Sequence, residues 1–509
     1  FLNFRRLCVN LSRMLTQRGT ASQRRFQRGL VFALLLFAGL SPIPLHGRDV
    51  SAALSEVQGH IRAEMELNHI PGVALAIVRS NQVLYAGGFG VKDLSTGEAM
   101  TIDTPVELAS VSKSFTALAI LQLEQEGRVE LEREVRSYLP DFMISGPLPW
   151  DRVTVQHLLK HTSGLRRKAD WLVPCCGMAG DLDLEVAVRK LRSARLRRPP
   201  GSSFQYANSN YVLLAAIVES VTSKPFATYM KEHIFRPLKM SRTTLDLEQA
   251  RAWGLAPFHE RQWGRVRPSP STYSGWYGAS KVKSTAADMA LYLAALLDGE
   301  KNSFGRLLSA SQLCKKAKSP FYHLGWQVEV AKDSLNGACL LRHKGIIWGA
   351  NSAVILVPDL QLGIVVLLNI GVNRADEIAD AVLAYITGRP ALAPVGVPPS
   401  SVPDNWAIGF IIAAAATVLS LGVYLWRLGI QLRRGKRRFF RRIGVLMAGR
   451  ATLFAAMAVC LFYLALGESM PPKATLPTPI QIGFPLFATS LGLLFLAIAI
   501  FNLAPRQKI

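Results

Sequence analysis

The stretch "ELASVSKSFTALAIL" (Glu107–Leu121) decides how the rest of the chain is read. After Lys113 it is apolar enough for a buried helix. Yet it opens with Ser110 three residues before Lys113, so both side chains fall on one helical face. A serine at a helix start is ordinarily a cap, and a lysine ordinarily carries its ammonium to solvent along an apolar stem. An isolated S-x-x-K therefore says little, and its meaning depends on what else the chain supplies.

Two further clusters matter. "PPGSSFQYANSNYVLL" sets Tyr206 and Asn208 just before an apolar helix, and "RHKGIIWGANSAVIL" sets His343, Lys344 and Gly345 ahead of a strand. Each by itself reads as ordinary turn chemistry. Around them the pattern is mixed helix and strand. "PGVALAIVRSNQVLYAGGFGVKD" alternates apolar and polar residues about the turn "RSNQ", a hairpin signal. "TVQHLLKHTSGL" (Thr154 to Leu165) has helical spacing, with Gly164 as its expected C-cap. "NYVLLAAIVESVT" is a second apolar helix. "SAVILVPDLQLGIVVLLN" is two buried strands joined by "PDLQ", and "ADEIADAVLAYIT" closes the domain as a helix. Strands at both ends and helices between predict an α/β (α+β) fold: one antiparallel sheet built from both termini, with an inserted helical cluster.

The chain has 509 residues and a formal net charge of +24. Fifteen of the cations lie in two acid-free segments, Arg5 to Arg28 and Arg427 to Arg442, which flank apolar runs. That is the pattern of the positive-inside rule rather than of nucleic-acid binding. "WAIGFIIAAAATVLSLGVYLW" (406–426), "IGVLMAGRATLFAAMAVCLFYLALG" (443–467) and "GFPLFATSLGLLFLAIAIFNLA" (483–504) are each long enough to span a bilayer. The expected layout is a basic leader with a signal peptide or anchor (1–47) and a catalytic domain (48–388). A Pro-rich linker (389–405) and three transmembrane helices with a basic cytoplasmic loop (406–509) follow. The chain begins with Phe1, and Met14 is a candidate start. The catalytic domain is then expected outside the cytoplasm, with membrane lipid as a partner and no nucleic acid. The six cysteines show no C-x-x-C and no zinc spacing. Plain packing is the expectation for Cys314 and Cys339, with a Cys314–Cys339 disulfide the alternative in an exported domain.

The three clusters in this order resemble the motif boxes of the serine β-lactamase and penicillin-binding-protein superfamily. The class C β-lactamase-like branch, with its D-alanyl-D-alanine peptidases, D-aminopeptidases and esterases, is the most similar. The resemblance runs roughly from Ser51 to Thr387 and includes "TVQHLLKHTSGL", "STAADMALYLAALLDG" and "YHLGWQV". It implies a serine hydrolase working through an acyl-enzyme, with no cofactor and no metal. Ser110 would be the nucleophile, and Tyr206 and Lys113 would share the proton. Asn208 would hold Lys113 and the substrate amide, and His343 would stand where many members carry Lys. The backbone N–H groups of Ser110 and Ile346 would bind the oxyanion, with Gly345 leaving room for the acyl chain. Lys344 replaces a small hydroxyl residue that helps bind a substrate carboxylate, and Ile346 is bulkier than the pattern. The implied substrates are D-amino-acid peptides of the cell wall, with β-lactams or carboxyl esters as the alternatives. A receptor that is acylated without turnover is the alternative of another class.

Overall fold

The computed structural model describes residues 50–173, 183–262, 265–269, 276–299, 303–307, 313–314, 322–330, 335, 337–347 and 349–396. It also describes isolated positions between 419 and 439, and residues 503–505. The leader and nearly all of the three apolar runs lie outside the described residues. No helix among the described residues is long and apolar enough to cross a membrane.

Helix α1 (Val50–Asn68) leads into strands β1 (Gly72–Arg79) and β2 (Gln82–Gly90). A short strand β3 (Val106–Glu107) and one 3-10 turn (Ala109–Val111) precede α2 (Ser112–Gln125). The inserted helices include α3 (Val155–Leu159), α4 (Leu184–Leu191) and α5 (Asn208–Thr222). After them come the β4 (His259–Gln262) and β5 (Arg265–Pro268) hairpin, β6 (Lys283–Ser284) and α6 (Ala286–Leu297). The chain then returns to the sheet through β7 (Tyr322–His323), β8 (Trp326–Val330), β9 (Cys339–Ile347), β10 (Ala350–Val357) and β11 (Leu362–Leu368). It continues into α7 (Ala375–Ile386).

The seven-stranded sheet has the order β2-β1-β11-β10-β9-β8-β7. The first strands of the domain pair antiparallel with its last, Val73 opposite Leu368, so the sheet is closed by both ends of the sequence, as expected. β10 and β11 are buried along their whole length, which matches their uninterrupted apolar sequences. Helix α2 is buried from Ser112 through Leu121. It is apolar on every side because it runs through the core instead of along its edge. There Phe115 stacks on Tyr292 at 4.2 Å and meets Phe235 edge-on at 5.6 Å.

Two expectations change. Helix α3 ends at Leu159, with Thr154 capping its N-terminus, and Gly164 lies beyond it at φ +87°. A Cβ at Gly164 would fall 2.2 Å from the Arg198 carbonyl oxygen. Close approach of two loops, rather than a helix C-cap, explains that glycine. Cys314 and Cys339 form a disulfide with a Cα–Cα distance of 5.9 Å, correcting the expectation of packed thiols. Nothing in the spacing of two isolated cysteines 25 residues apart announces it.

The chain divides into two compact units, Phe1–Glu56 with Ala384–Pro390, and Val57–Leu383 with Ala391–Ile509. In the first, the end of α7 is closed by Arg389, whose backbone N–H donates to the Ala384 carbonyl and whose Nε donates to Thr387 Oγ1.

Candidate active site

Ser110 sits in the 3-10 turn that feeds straight into α2. Ala109, just before it, takes φ +47°, a left-handed conformation that costs a non-glycine residue about 1 kcal/mol or more. The surrounding contacts hold it there. Leu108 N–H donates to the Val282 carbonyl (2.9 Å), and Ser352 Oγ donates to the Leu108 carbonyl (2.7 Å). Val282 N–H donates to Ser112 Oγ (3.1 Å). Strand β9 presses against the same turn. A Cβ on Gly345 would lie 2.2 Å from Leu108 O, 2.6 Å from Ser352 Oγ and 3.0 Å from Ala109 Cβ. Gly345 is therefore a glycine so that β9 can touch the Ser110 turn. That side of its Cα is filled by protein.

Four of the expected residues form one hydrogen-bonded cluster. Lys113 Nζ donates to Ser110 Oγ (3.0 Å), Asn208 Oδ1 (2.8 Å) and the Ala279 carbonyl (2.9 Å). The Tyr206 hydroxyl donates to Ser110 Oγ at 2.9 Å. Lys113 is wholly buried, while Ser110, Tyr206 and Asn208 are half-buried and reach the open side of the site. Burial pushes the Lys113 ammonium from 10.5 down to about 7, with Asp170 pulling the other way. Burial also raises the Tyr206 phenol above its ordinary value, against the hydrogen bond to Ser110. The arrangement therefore holds a lysine that loses its proton near neutrality and a tyrosine that keeps its own.

The third cluster is placed differently. His343 is buried, on the same face of β9 as Gly345. Tyr322 donates its hydroxyl proton to His343 Nε2 (2.9 Å), and Nδ1–H donates to the Lys344 carbonyl (2.9 Å). Burial and the charge of Lys113 lower its imidazolium to about 3, so the ring is neutral. It makes no hydrogen bond to Ser110, Lys113 or Tyr206 among the described residues. Lys344 and Ile346 point to the opposite, exposed face. The Lys344 ammonium lies 3.9 Å from Asp376 at the start of α7. Arg342 on that face is paired with Glu329, Asp376 and Asp380.

Several residues that shape the site carried no signal of their own in the sequence. His161, in "HTSGL", is fully buried with its ring centre 4.4 Å from that of Tyr206. Its Nδ1 accepts from Ala207 N–H (3.3 Å) and from Asn210 Nδ2 (3.0 Å). It thus holds the segment that presents Tyr206, and burial keeps it neutral. Asp170 accepts from Asn208 N–H (3.0 Å), Ser209 N–H (2.8 Å) and Ser209 Oγ (2.6 Å). It caps α5 from outside, because the residue at the cap position, Ala207, has no side-chain acceptor.

Comparison with known proteins agrees with this geometry. The Beta-lactamase family model matches residues 57–388. The chain is 26% identical over 444 residues to Protein flp of Staphylococcus aureus (strain MW2), covering 85% of this chain and 87% of that protein. It is 33% identical over 234 residues to Esterase EstB of Burkholderia gladioli, covering 43% of this chain and 58% of that protein. Among solved structures, the octameric penicillin-binding protein homologue from Pyrococcus abyssi superposes with a TM-score of 0.58 at 26% identity. That match covers 67% of this chain and 79% of the other. D-alanine carboxypeptidase AmpC from Burkholderia cenocepacia gives a TM-score of 0.55 at 22% identity, covering 67% and 99%; this second likeness concerns the fold alone.

Proposed function

As the chain belongs to the Beta-lactamase family, we propose that Ser110 is the nucleophile of a serine hydrolase that works through an acyl-enzyme. The observation that carries this is the single hydrogen-bonded cluster of Ser110, Lys113, Tyr206 and Asn208. A serine hydroxyl needs a base within reach as its oxygen attacks. Lys113 is that base: as a neutral amine it takes the Ser110 proton while the Oγ–carbonyl carbon bond forms. The ammonium so produced keeps two ready acceptors, Asn208 Oδ1 and the Ala279 carbonyl. The Tyr206 hydroxyl, bound to the same Ser110 oxygen, protonates the leaving group as its bond to carbon breaks. Lys113 then returns a proton to Tyr206. Water repeats the sequence in reverse to release the acid. The backbone N–H groups of Ser110 and Ile346 are the proposed oxyanion donors.

The proposed substrates are D-amino-acid peptides, with the catalytic domain outside the cytoplasm and tethered to a membrane. Support for export comes from the Cys314–Cys339 disulfide, a bond that persists in oxidising compartments. Support for the tether comes from the three apolar runs and their basic flanks. Leu419, Val423 and Trp426 are helical, spaced by four and three residues, and exposed, an apolar stripe that suits lipid. A second reading, carboxylesterase, is favoured by one observation. Lys344 faces Asp376 instead of standing free, so no unpaired cation at that position waits for a substrate carboxylate. Similarity to Esterase EstB points the same way.

The test is covalent labelling with a fluorophosphonate and with a penicillin, read by intact-protein mass spectrometry. One adduct mapping to Ser110 and absent in Ser110→Ala is expected. Hydrolysis of a D-alanyl peptide, a cephalosporin and a short ester by the same preparation separates the substrate readings. An adduct that persists in Ser110→Ala would overturn the assignment.

A further inference from the structure

The partners of Lys113 Nζ are all neutral: Ser110 Oγ, Asn208 Oδ1 and the Ala279 carbonyl. Two of them trace back to one short segment. Asp170 accepts from the backbone N–H groups of Asn208 and Ser209 and from the Ser209 hydroxyl, which holds the backbone that carries the Asn208 side chain. Three residues on, the Val173 carbonyl accepts from Trp276 Nε1 at 2.7 Å. Trp276 closes the turn that presents Ala279. Its carbonyl accepts from Ala279 N–H (3.0 Å) and Ser280 N–H (2.9 Å), and its own N–H donates to Ser280 Oγ (3.0 Å). One segment therefore sets both of the acceptors that belong to Lys113 alone.

We propose that Asp170 and Val173 form a brace that places Asn208 and Ala279 around Lys113, and that the Asp170 carboxylate is the counter-ion of the ammonium formed when Ser110 attacks. Asp170 is on this account a positioning residue. The role in attack rests on the serine-hydrolase reading; the electrostatic link to Lys113 does not.

The charge argument is short. Facing Lys113 are the rings of Tyr206 at 4.8 Å and Tyr211 at 5.7 Å. The imidazoles of His161 and His343 also feel its charge. All four rings are held neutral by burial. Asp170 is the carboxylate that acts on Lys113. It is buried, and burial raises its carboxyl above the ordinary value; the hydrogen bonds from Ser209 and Asn208 and the charge of Lys113 pull the other way, toward the anion. It touches Asn208 and Ser209 rather than the ammonium. An acid in direct contact would keep the lysine protonated, whereas one acid placed behind the asparagine steadies the ammonium and still lets it deprotonate near neutrality.

The experiment is the rate of fluorophosphonate acylation of the full chain against pH. In the parent the rate should rise with pH through about 7. Asp170→Asn should slow acylation and move that rise to lower pH by about one unit, the low end of what an opposite charge supplies. Asp170→Glu should restore the midpoint. Trp276→Phe, which breaks the brace but keeps the charge, should slow acylation and leave the midpoint in place. An unmoved midpoint in Asp170→Asn reduces Asp170 to a helix cap and overturns the proposal. If that variant does not fold, Ser209→Ala removes one donor that favours the charged carboxylate. It should move the midpoint the same way by a smaller amount, and an unchanged profile overturns the proposal equally. Should the parent label nowhere at Ser110, the proposed function falls. The Lys113 ammonium is then titrated directly by its 13Cε resonance in parent and Asp170→Asn, and coincident curves refute the electrostatic link.

Discussion

Replacing Lys113 by methionine keeps the length of the side chain and removes its charge, which isolates the cost of burying an ammonium. In the folded chain burial brings that ammonium from 10.5 down to about 7, while the unfolded chain leaves it at its ordinary value. Between the two values the unfolded state binds more protons. Stability of the parent therefore falls as pH is lowered from above 10.5, and the loss is complete below about 7. Worked through, the burial costs about 1–2 kcal/mol at about pH 9.5 and about 4–5 kcal/mol at about pH 6. The stability of Lys113→Met relative to the parent should thus rise by about 3 kcal/mol across that window. Losing the donor to Ser110, Asn208 and Ala279 lowers the variant by an amount that does not depend on pH, so it sets the offset and not the slope. The window stops near pH 6 because His161 and His343, both held neutral partly by the Lys113 charge, begin to enter below it. Urea unfolding of the two proteins at a series of pH values reads the difference directly, and every group untouched by the change cancels. A difference that stays flat with pH would mean that Lys113 remains protonated in the folded chain, and the lysine base would be lost with it.

Two further outcomes follow from packing. Gly345→Ala drives a methyl group to 2.2 Å from the Leu108 carbonyl oxygen, so it should lower stability by about 1–3 kcal/mol and slow labelling of Ser110 more than labelling of a surface nucleophile. A thermal melt and a labelling time course check both, and unchanged labelling would disprove the contact between β9 and the Ser110 turn. Cys314→Ser should cost about 2–4 kcal/mol, since the bond to Cys339 anchors the start of β9. Melting with and without reductant should show that loss in the parent and no response in the variant.

The proposed division of labour between Lys113 and Tyr206 rests on their burial. The family resemblance makes the tyrosine part of the base. In the folded chain both groups lie within hydrogen-bond distance of Ser110 Oγ, so distance does not separate them. Electrostatics does. Desolvation opposes the charged form of each: it removes the charge of an ammonium by deprotonating it and prevents the charge of a phenolate by keeping the proton on. Burial thus favours the neutral form of each, which supports the proposed roles of the lysine as base and the tyrosine as acid. The same effect keeps His343 neutral, its imidazolium lowered to about 3.

What the sequence revealed and what it hid differ by the kind of atom that does the work. Ser110, Lys113, Tyr206 and Asn208 act through side-chain groups whose chemistry is visible in a one-letter string, and the fold brings them to a common point. The hairpin of β1 and β2 and the paired apolar strands β10 and β11 were legible for a similar reason, since alternation and run length are local. Ala279 acts through a carbonyl that any residue has. Gly345 matters for contact across the sheet with Leu108. Asp170 reaches Asn208 from 38 residues away, and Cys314 meets Cys339, at the start of β9, across 25 residues. Gly164 shows how a local rule misfires, because a glycine after a helical pattern reads as a cap unless the Arg198 carbonyl facing it is known. Each of these roles depends on a pairing across the chain that no local pattern encodes. A search for what governs Lys113 would therefore start from the buried backbone acceptors around it and work outward to Asp170 and Val173, and not from further motifs.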